Sequence, residues 1–278
     1  MGEAKDIVLR PIPAKDANEL VKRVHYSGKV VQNSQLHIGV FYRGELEGAM
    51  QFGPSLDKRK IQGLVSGTQW HEFIELNRMA FSDTLPRNSE SRALSIAMRL
   101  LRKYAPQVKW VITFADGTQC GDGTIYRAAG FVLTGIGVSE NICRLKTGEV
   151  FHKMSLETGS NGKIKYKKYP EFGDKCYWEL TDGTYNFRKF AERLDAKILP
   201  GFQLRYIYFI DPTYREKLTV PELPYSEIER RGAGMYKGKT RGRGETDSAP
   251  QSNEETGGAS PTRPLLDSLT GGMPELIN

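Results

Sequence analysis

Apolar residues recur at helical spacing in two stretches of the chain. The first stretch predicts a helix over residues 14–24. The second predicts a longer amphipathic helix over residues 91–104, with Asn88 or Ser89 as its N-cap and Pro106 just beyond its end. A third, short helix carries Tyr126. These patterns indicate helices that each bury one face against another layer of structure.

Runs of apolar and β-branched residues predict the strands between these helices. In chain order they cover residues 7–11, 36–42, 45–52, 71–81, 110–115, 131–137 and 152–157. Arg43-Gly44 separates the second run from the third and predicts a hairpin turn. The resulting order, β-α-β-β-β-α-β-α-β-β, indicates a mixed α/β (α+β) domain.

The composition changes after Thr158. Residues 159–231 keep aromatic and apolar runs, so we expect an ordered basic and aromatic extension there. Residues 232–278 are rich in Gly, Arg, Ser, Thr and Glu, which is typical of a flexible tail. The predicted organisation is therefore a domain over residues 1–158, followed by this extension and this tail.

Composition excludes several classes of protein. The chain has 278 residues, of which 38% are hydrophobic, so it can bury a core, yet it contains no apolar run long enough to cross a bilayer. Its start does not resemble a signal peptide, and we expect a cytoplasmic protein that does not bind membranes. Its three cysteines and four histidines lack the spacing of a metal site, so we expect reduced thiols and no metal.

A formal net charge of +7 suits a polyanionic partner such as nucleic acid. Cations alternate with tyrosines in one segment, a combination that can follow a phosphate backbone and stack on bases. The cations of this segment are Lys163, Lys165, Lys167 and Lys168. A solvated loop or edge strand would explain the same pattern equally well.

The segment 110–131 carries the densest candidate chemistry. A buried strand ends at Asp116, a glycine-rich loop follows, and a short helix with Tyr126 stops at Gly130. Backbone N–H groups of the loop, including those of Gly121 and Gly123, could hold an anion or a developing negative charge. Alternatively, Asp116 only caps the loop and Tyr126 is a core aromatic residue.

These residues also carry a resemblance. Tyr126-x-x-x-Gly130-Phe131 resembles an acyl-CoA-binding motif of the GNAT acyltransferase fold. Glu75-Leu-Asn77-Arg78, Phe114-Ala-Asp116-Gly and Gly123-Thr-Ile-Tyr126 together are similar to the Mom family of phage proteins, which convert adenine in DNA to its N6-carbamoylmethyl form. The resemblance runs from about His25 to Leu156. It implies a GNAT-like, mostly antiparallel sheet flanked by helices.

The resemblance implies an active site built from Arg78, Asp116 and Tyr126. Asp116 would orient the adenine amine and take its proton, and Tyr126 would act on the donor. Strand alternation predicts Glu75 and Asn77 on one face of the sheet and Arg78 on the other. Arg78 could instead form a structural pair with a buried acid.

His25 and Tyr26 follow the first helix, in the region that lines the acceptor groove of the fold. Tyr26 could stack on a base extruded from double-stranded DNA, and Asn77 is a further candidate for contacting it. His25 alone is more often a structural or surface residue.

In the GNAT fold, the loop before the long helix cradles the pyrophosphate of CoA. Here the glycines are absent, and the candidates for binding the donor are Arg87, Ser89, Ser91 and Arg92. The acyl donor is therefore open between acetyl-CoA and an aminoacyl or glycyl carrier. A capped helix with surface arginines is the alternative for this loop.

Three functions are compatible with these residues. The leading hypothesis is a transferase that adds a carbamoylmethyl-type group to adenine N6 in double-stranded DNA, acting in the host cytoplasm and protecting phage DNA from restriction. The second is a GNAT-type N-acyltransferase that acts on a protein, a tRNA or a small amine. The third is a DNA-binding protein without catalytic activity, for which the polar cluster would be structural.

Overall fold

The structure, a computed structural model, describes residues 3–118, 121–148, 150–152, 182–183, 186–236 and 239–240. The strands are β1 (Val8–Pro11), β2 (Leu36–Tyr42), β3 (Glu45–Gly53), β4 (Phe73–Phe81), β5 (Trp110–Asp116), β6 (Val132–Arg144), β7 (Val150–His152), β8 (Lys197–Phe209), β9 (Met235–Tyr236) and β10 (Lys239–Thr240). The α-helices are α1 (Ala14–Val24), α2 (Lys58–Gln62), α3 (Ser89–Tyr104), α4 (Thr124–Ala128), α5 (Phe187–Arg193) and α6 (Ser226–Arg230).

Eight of the strands form one sheet in the order β1-β2-β3-β4-β5-β8-β6-β7, and β9 pairs with β10 in a second, two-stranded sheet. Strands β4 and β5 are parallel, whereas the other neighbouring strands are antiparallel. This arrangement confirms the predicted fold class, a mixed α+β domain whose sheet is mostly antiparallel.

Local sequence patterns account for several element boundaries. Helix α1 begins and ends where the apolar spacing predicts. Arg43 and Gly44 both have positive φ, 52° and 90°, as the tight hairpin turn between β2 and β3 requires. Helix α3, the longest among the described residues, starts two residues earlier than predicted.

None of the helices in the described part of the chain combines the length and apolar character needed to span a membrane.

Strand β8 comes from the segment that the sequence assigns to the extension, and it lies in the interior of the sheet. It pairs with β5 from Trp110↔Phe209 to Asp116↔Gln203, and with β6 along its other edge. The sheet therefore includes residues beyond 158. The predicted boundary itself and the tail from residue 241 onward lie outside the described residues.

Helices pack on both faces of the sheet. Ala49 of β3 belongs to a small cluster with Ala17 and Leu20 of α1, and this side is called the α1 face. Its neighbour Met50 belongs to the main core with Leu94 of α3, and that side is called the α3 face. Successive side chains of a strand point to opposite faces, so the positions of Ala49 and Met50 determine which face each side chain of a regular strand occupies.

We predict that β8 is an integral part of the folding unit. Leu204 is fully buried in the main core, so Leu204→Ala should lower the free energy of unfolding by about 2–5 kcal/mol. Val138 of neighbouring β6 is 76% exposed, and Val138→Ala should change it by no more than about 0.5 kcal/mol. Urea denaturation of both variants is the measurement, and equal midpoints would contradict the prediction.

Candidate active site

The parallel strands β4 and β5 pair over only three residue pairs, from Phe73↔Trp110 to Glu75↔Ile112. Beyond them, β4 continues along β3 and β5 continues along β8. The Thr113 hydroxyl donates to the carbonyl oxygen of Leu76 at 3.3 Å, where the strands begin to separate. A gap therefore opens inside the sheet, and diverging strands of this kind can offer backbone donors and acceptors to a ligand.

A β-bulge in β4 changes the predicted orientation of Arg78. Gln51 of β3 pairs with Arg78 but Phe52 pairs with Leu76, so Asn77 is an extra residue. Gln51 lies on the α1 face, where its amide donates to the Asn18 side chain of α1 at 2.8 Å. Arg78 therefore lies on the α1 face together with Glu75, and the alternation predicted from the sequence is wrong at this point.

Arg78 and Asn77 together hold the loop between α1 and β2. The guanidinium of Arg78 donates through Nε to the carbonyl oxygen of Lys29 at 3.0 Å. The hydroxyl of Ser34 donates to the side-chain oxygen of Asn77 at 3.2 Å. Gly53 permits this approach, since a Cβ there would overlap Asn77 and the carbonyl oxygen of Asn33.

Glu75 is the site residue that sequence reasoning left out of the catalytic set. Burial raises the pKa of its carboxyl group, while the neighbouring polar side chains of Ser55 and Asn77 and the charge of Arg78 act in the opposite direction. The carboxyl group therefore takes up a proton more readily than an exposed glutamate. A charged residue among the apolar residues of β4 was the signal in the sequence.

His25 is buried at the C-terminal end of α1. Its Nδ1 accepts a hydrogen bond from the backbone N–H of Ser27 at 3.1 Å and lies 2.8 Å from the Ser27 hydroxyl oxygen. Burial, with a contribution from the charge of Arg78, lowers the pKa of His25 to about 3, so the ring is neutral at pH 7. Tyr26 packs against this ring at a centroid distance of 4.2 Å and is 42% exposed.

Asp116 is the last residue of β5. It lies two residues after Phe114 and four after Ile112, and since both of these pack on the α1 face, Asp116 points to that face as well. Its carboxylate accepts a hydrogen bond from the backbone N–H of Thr118 at 2.9 Å, as expected for an aspartate that caps a loop. The backbone N–H of Gly121 donates to the carbonyl oxygen of Asp116 at 3.1 Å, so the loop itself uses that donor.

Tyr126 lies on the other side of the sheet from Arg78. Its ring packs against Tyr206 and Phe131, with centroid distances of 5.5 and 5.7 Å, in the core of the α3 face. Gly123, at φ 83°, starts the short helix that carries Tyr126. The hydroxyl of Tyr206 donates to the carbonyl oxygen of Asp122 at 2.5 Å and fixes this turn.

Comparison with known proteins identifies the family. A model of the Mom protein family matches residues 6–227, which include β4, Asp116 and Tyr126. The chain belongs to the Mom protein family. The resemblance inferred from the motifs is thereby confirmed.

A curated relative is named "Methylcarbamoylase mom" and comes from Escherichia phage Mu. It is 36% identical over 160 residues, a match that covers 57% of this chain and 65% of that protein. The match thus spans slightly less than two thirds of the relative's length.

Two acetyltransferases are among the solved structures that resemble this Mom-family chain. AAC(6')-Ib, in complex with an aminoglycoside and acetyl-CoA, is 15% identical, with 49% of this chain and 86% of that chain covered and a TM-score of 0.33. A Bacillus subtilis acetyltransferase in complex with CoA is 10% identical, with 73% and 97% covered and a TM-score of 0.36.

In this Mom-family chain, α3 starts without a side-chain cap. Asn88 occupies the N-cap position with φ 70°, and its side chain makes no capping hydrogen bond. The Ser91 hydroxyl donates to the carbonyl oxygen of Asn88 at 3.3 Å, and Arg87 is exposed. In the part of the chain that the structure describes, the buried Ser89 hydroxyl and Arg92 Nε have no hydrogen-bond partner. Such groups at the positive end of a 16-residue helix suit an anion.

Other sequence-predicted features lie elsewhere or outside the described residues. Lys163, Lys165, Lys167 and Lys168 all fall in a segment that is not described. Cys143 is buried and free, and burial raises the pKa of its thiol to about 12. Within the described ranges, no group of three or more His, Cys, Asp or Glu side chains could hold a metal ion.

We predict that His25 makes the stability of the protein depend on pH. Below pH 6.5 the unfolded chain protonates this histidine, whereas the folded chain, with a pKa of about 3, does not. The contribution of His25 to the free energy of unfolding is therefore fully present above pH 6.5. It falls by about 1.4 kcal/mol per pH unit as the pH drops toward 3. The measurement is urea denaturation between pH 7 and 4.5.

His25→Asn should have a shallower pH dependence than the wild type. His71, an exposed histidine, offers the matched control His71→Asn, which should follow the wild-type curve. Parallel curves for the wild type and His25→Asn would contradict the assignment of the pH dependence to His25.

We also predict that Gly123 is required by the Tyr206 ring. Gly123 and Gly130 both have positive φ, 83° and 88°, so an alanine at either position costs about 1 kcal/mol. A Cβ at Gly123 would also overlap Tyr206, whereas at Gly130 the nearest atom, in Tyr208, is 3.6 Å away. Gly123→Ala should therefore lose about 1–3 kcal/mol more than Gly130→Ala in urea denaturation. Equal losses would contradict this.

Proposed function

We propose that this chain transfers a carbamoylmethyl-type group to N6 of adenine in double-stranded DNA. The observation that carries the proposal is the match to the Mom family over residues 6–227, which contains the polar strand β4, Asp116 and Tyr126. The phage Mu relative is named a methylcarbamoylase, which agrees with this group.

The chemistry of the acceptor explains the need for a carboxylate. The N6 amine of adenine is a weak nucleophile, so a base must orient it and remove its proton as the new bond forms. Asp116 is our candidate base, because it stands at the end of β5 on the α1 face. Glu75 lies on the same face, and its raised pKa makes it a second candidate for holding the proton.

Arg78 supplies the positive charge of the proposed site. It acts electrostatically on Glu75 and His25, and it holds the Lys29 carbonyl oxygen at 3.0 Å. The guanidinium would thus position the acceptor loop and offset negative charge that develops during transfer. We assign His25 a positioning role, since its neutral ring supports Tyr26.

Adenine inside a duplex cannot reach a pocket without leaving the base stack. Tyr26 is 42% exposed and packs against His25, so its ring could stack on the extruded base. Asn77 would contact the base or the loop beside it.

We propose that the donor approaches from the α3 face. The start of α3 offers helix N–H groups with the exposed Arg87 and the partly buried Arg92, which suits a carrier that bears phosphates. Tyr126, in the same face, would protonate the leaving group of the carrier through the gap between β4 and β5. The bond from that group to the transferred carbon breaks as N6 bonds to the same carbon. The carrier is acyl-CoA or an aminoacyl or glycyl carrier.

The proposed product explains a protective role for the modification. A substituent on N6 projects into the major groove, where proteins read the N6 and N7 positions of adenine. A restriction enzyme would meet a clash there. The protein would act on phage DNA in the cytoplasm of the host.

Mass spectrometry of nucleosides from plasmid DNA tests this function. Cells that express the wild-type chain should contain a heavier deoxyadenosine derivative, whose mass identifies the group. Asp116→Asn keeps an oxygen for the Thr118 N–H but removes the base, so the yield should fall by about 100-fold or more. Unmodified DNA from cells with folded wild-type protein would contradict the proposal.

The control for this experiment is Asp195→Asn. The Asp195 side chain is 70% exposed and forms a surface ion pair with Lys146, so this change should leave the yield unaltered. An unchanged yield in Asp116→Asn would remove Asp116 from the mechanism without excluding the reaction.

A further inference from the structure

We propose that the connection between β3 and β4 docks the backbone of duplex DNA beside the site. The docking surface consists of Leu56, Arg59, Lys60 and Trp70. The choice of duplex DNA as the partner rests on the proposed function. The surface lies outside the basic segment predicted from the sequence.

The docking surface is built on a firmly packed support. Helix α2 buries Ile61, and the residues after it bury Leu64 and Val65 in the core of the α1 face. Asp57 caps the helix by accepting the backbone N–H of Lys60 at 3.4 Å. Such a support presents its outward side chains in one orientation, which lowers the cost of binding.

The exposed cations of this surface are available to an external anion. Arg59 and Lys60 are both exposed, and neither takes part in an ion pair among the residues that the structure describes. The acids nearby in sequence are engaged. Asp57 caps α2, and Glu72 accepts hydrogen bonds from the backbone of Gln69 and the hydroxyl of Tyr214.

Two large apolar side chains of the same connection are also exposed. Leu56 is 79% exposed and Trp70 is 46% exposed. The ammonium of Lys58 lies 4.4 Å from the centre of the Trp70 ring and holds that ring in place. Apolar side chains left in water beside unpaired cations indicate a binding surface.

The residues that lead into this surface lie beside the proposed site. Ser55, the residue before Leu56, is buried and lies close enough to Glu75 to lower the pKa of its carboxyl group. The amide of Asn33, in the loop that follows Tyr26, donates to the carbonyl oxygen of Pro54 at 2.8 Å. Leu56 is three residues beyond Gly53, so its Cα lies within about 11 Å of that strand end.

Charge complementarity favours duplex DNA as the partner. Duplex DNA carries about one negative charge per 1.7 Å of its axis, and adjacent cations can contact neighbouring phosphates while releasing counterions. Leu56, nearest the site, would then meet sugars or bases close to the extruded adenine. DNA-binding proteins place apolar side chains against unstacked steps in this way.

The test is fluorescence anisotropy of a labelled duplex with the full-length protein over a series of salt concentrations. Arg59→Gln/Lys60→Gln should bind more weakly, and the slope of log K against log salt should fall by about 1.8, since each lost phosphate contact contributes about 0.9. Leu56→Ser should weaken binding on the order of tenfold at every salt concentration without changing the slope, because it releases no counterions.

The matched control is Arg99→Gln/Lys103→Gln, which removes two exposed cations from α3 on the other face. It should retain the wild-type affinity and slope. Equal loss in this control would overturn the inference, because any two cations would then serve. Preference for single-stranded RNA or for an acidic peptide over the duplex would overturn it as well.

Nucleoside mass spectrometry on the same variants separates this inference from the proposed function. If Arg59→Gln/Lys60→Gln still modifies adenine and binds the duplex as tightly as the wild type, the docking surface is overturned and the function is unaffected. If cells that express the wild-type protein contain unmodified DNA, and duplex binding nevertheless depends on Arg59 and Lys60, the surface is supported and the function is contradicted. Absence of any duplex binding by the wild type overturns the surface.

Discussion

The β-bulge at Asn77 is the constraint from which the arrangement of the site follows. One extra residue in β4 shifts the pairing with β3, so Gln51 meets Arg78 while Phe52 meets Leu76. Without it, Glu75 and Arg78 would point to opposite faces. With it, both lie on the α1 face, next to His25 and on the same side as Asp116. Bulges are known to re-aim side chains beside functional sites.

The electrostatics of the site depend on this shared face. The charge of Arg78 lowers the pKa of His25, already lowered by burial, and partly offsets the raised pKa of Glu75. A half-buried carboxyl group under the influence of an arginine charge can hold or release a proton. A neutral His25 can accept a hydrogen bond from Ser27 and fix the loop that presents Tyr26.

Much of the fold could be predicted from the sequence, because hydrophobic periodicity determines α1, α3 and the β2–β3 hairpin locally. The place of β8 could not be predicted, since a strand far along the chain enters between β5 and β6 through long-range pairing. The motifs indicated Arg78, Asp116 and Tyr126. The alternation of residues along β4 could not reveal the bulge, because the bulge depends on the register between β4 and β3. The motifs also could not show that Tyr126 packs on the opposite face of the sheet from Arg78.

The most direct measurement is a double-mutant cycle between Glu75→Gln and Arg78→Met, read as the free energy of unfolding at pH 7. If the bulge places both side chains on one face, where the charge of Arg78 acts on Glu75, their effects should be coupled by at least about 0.5 kcal/mol. Additive effects, within about 0.3 kcal/mol, would mean that the two side chains do not interact. That result would contradict the arrangement of the site on which the account rests.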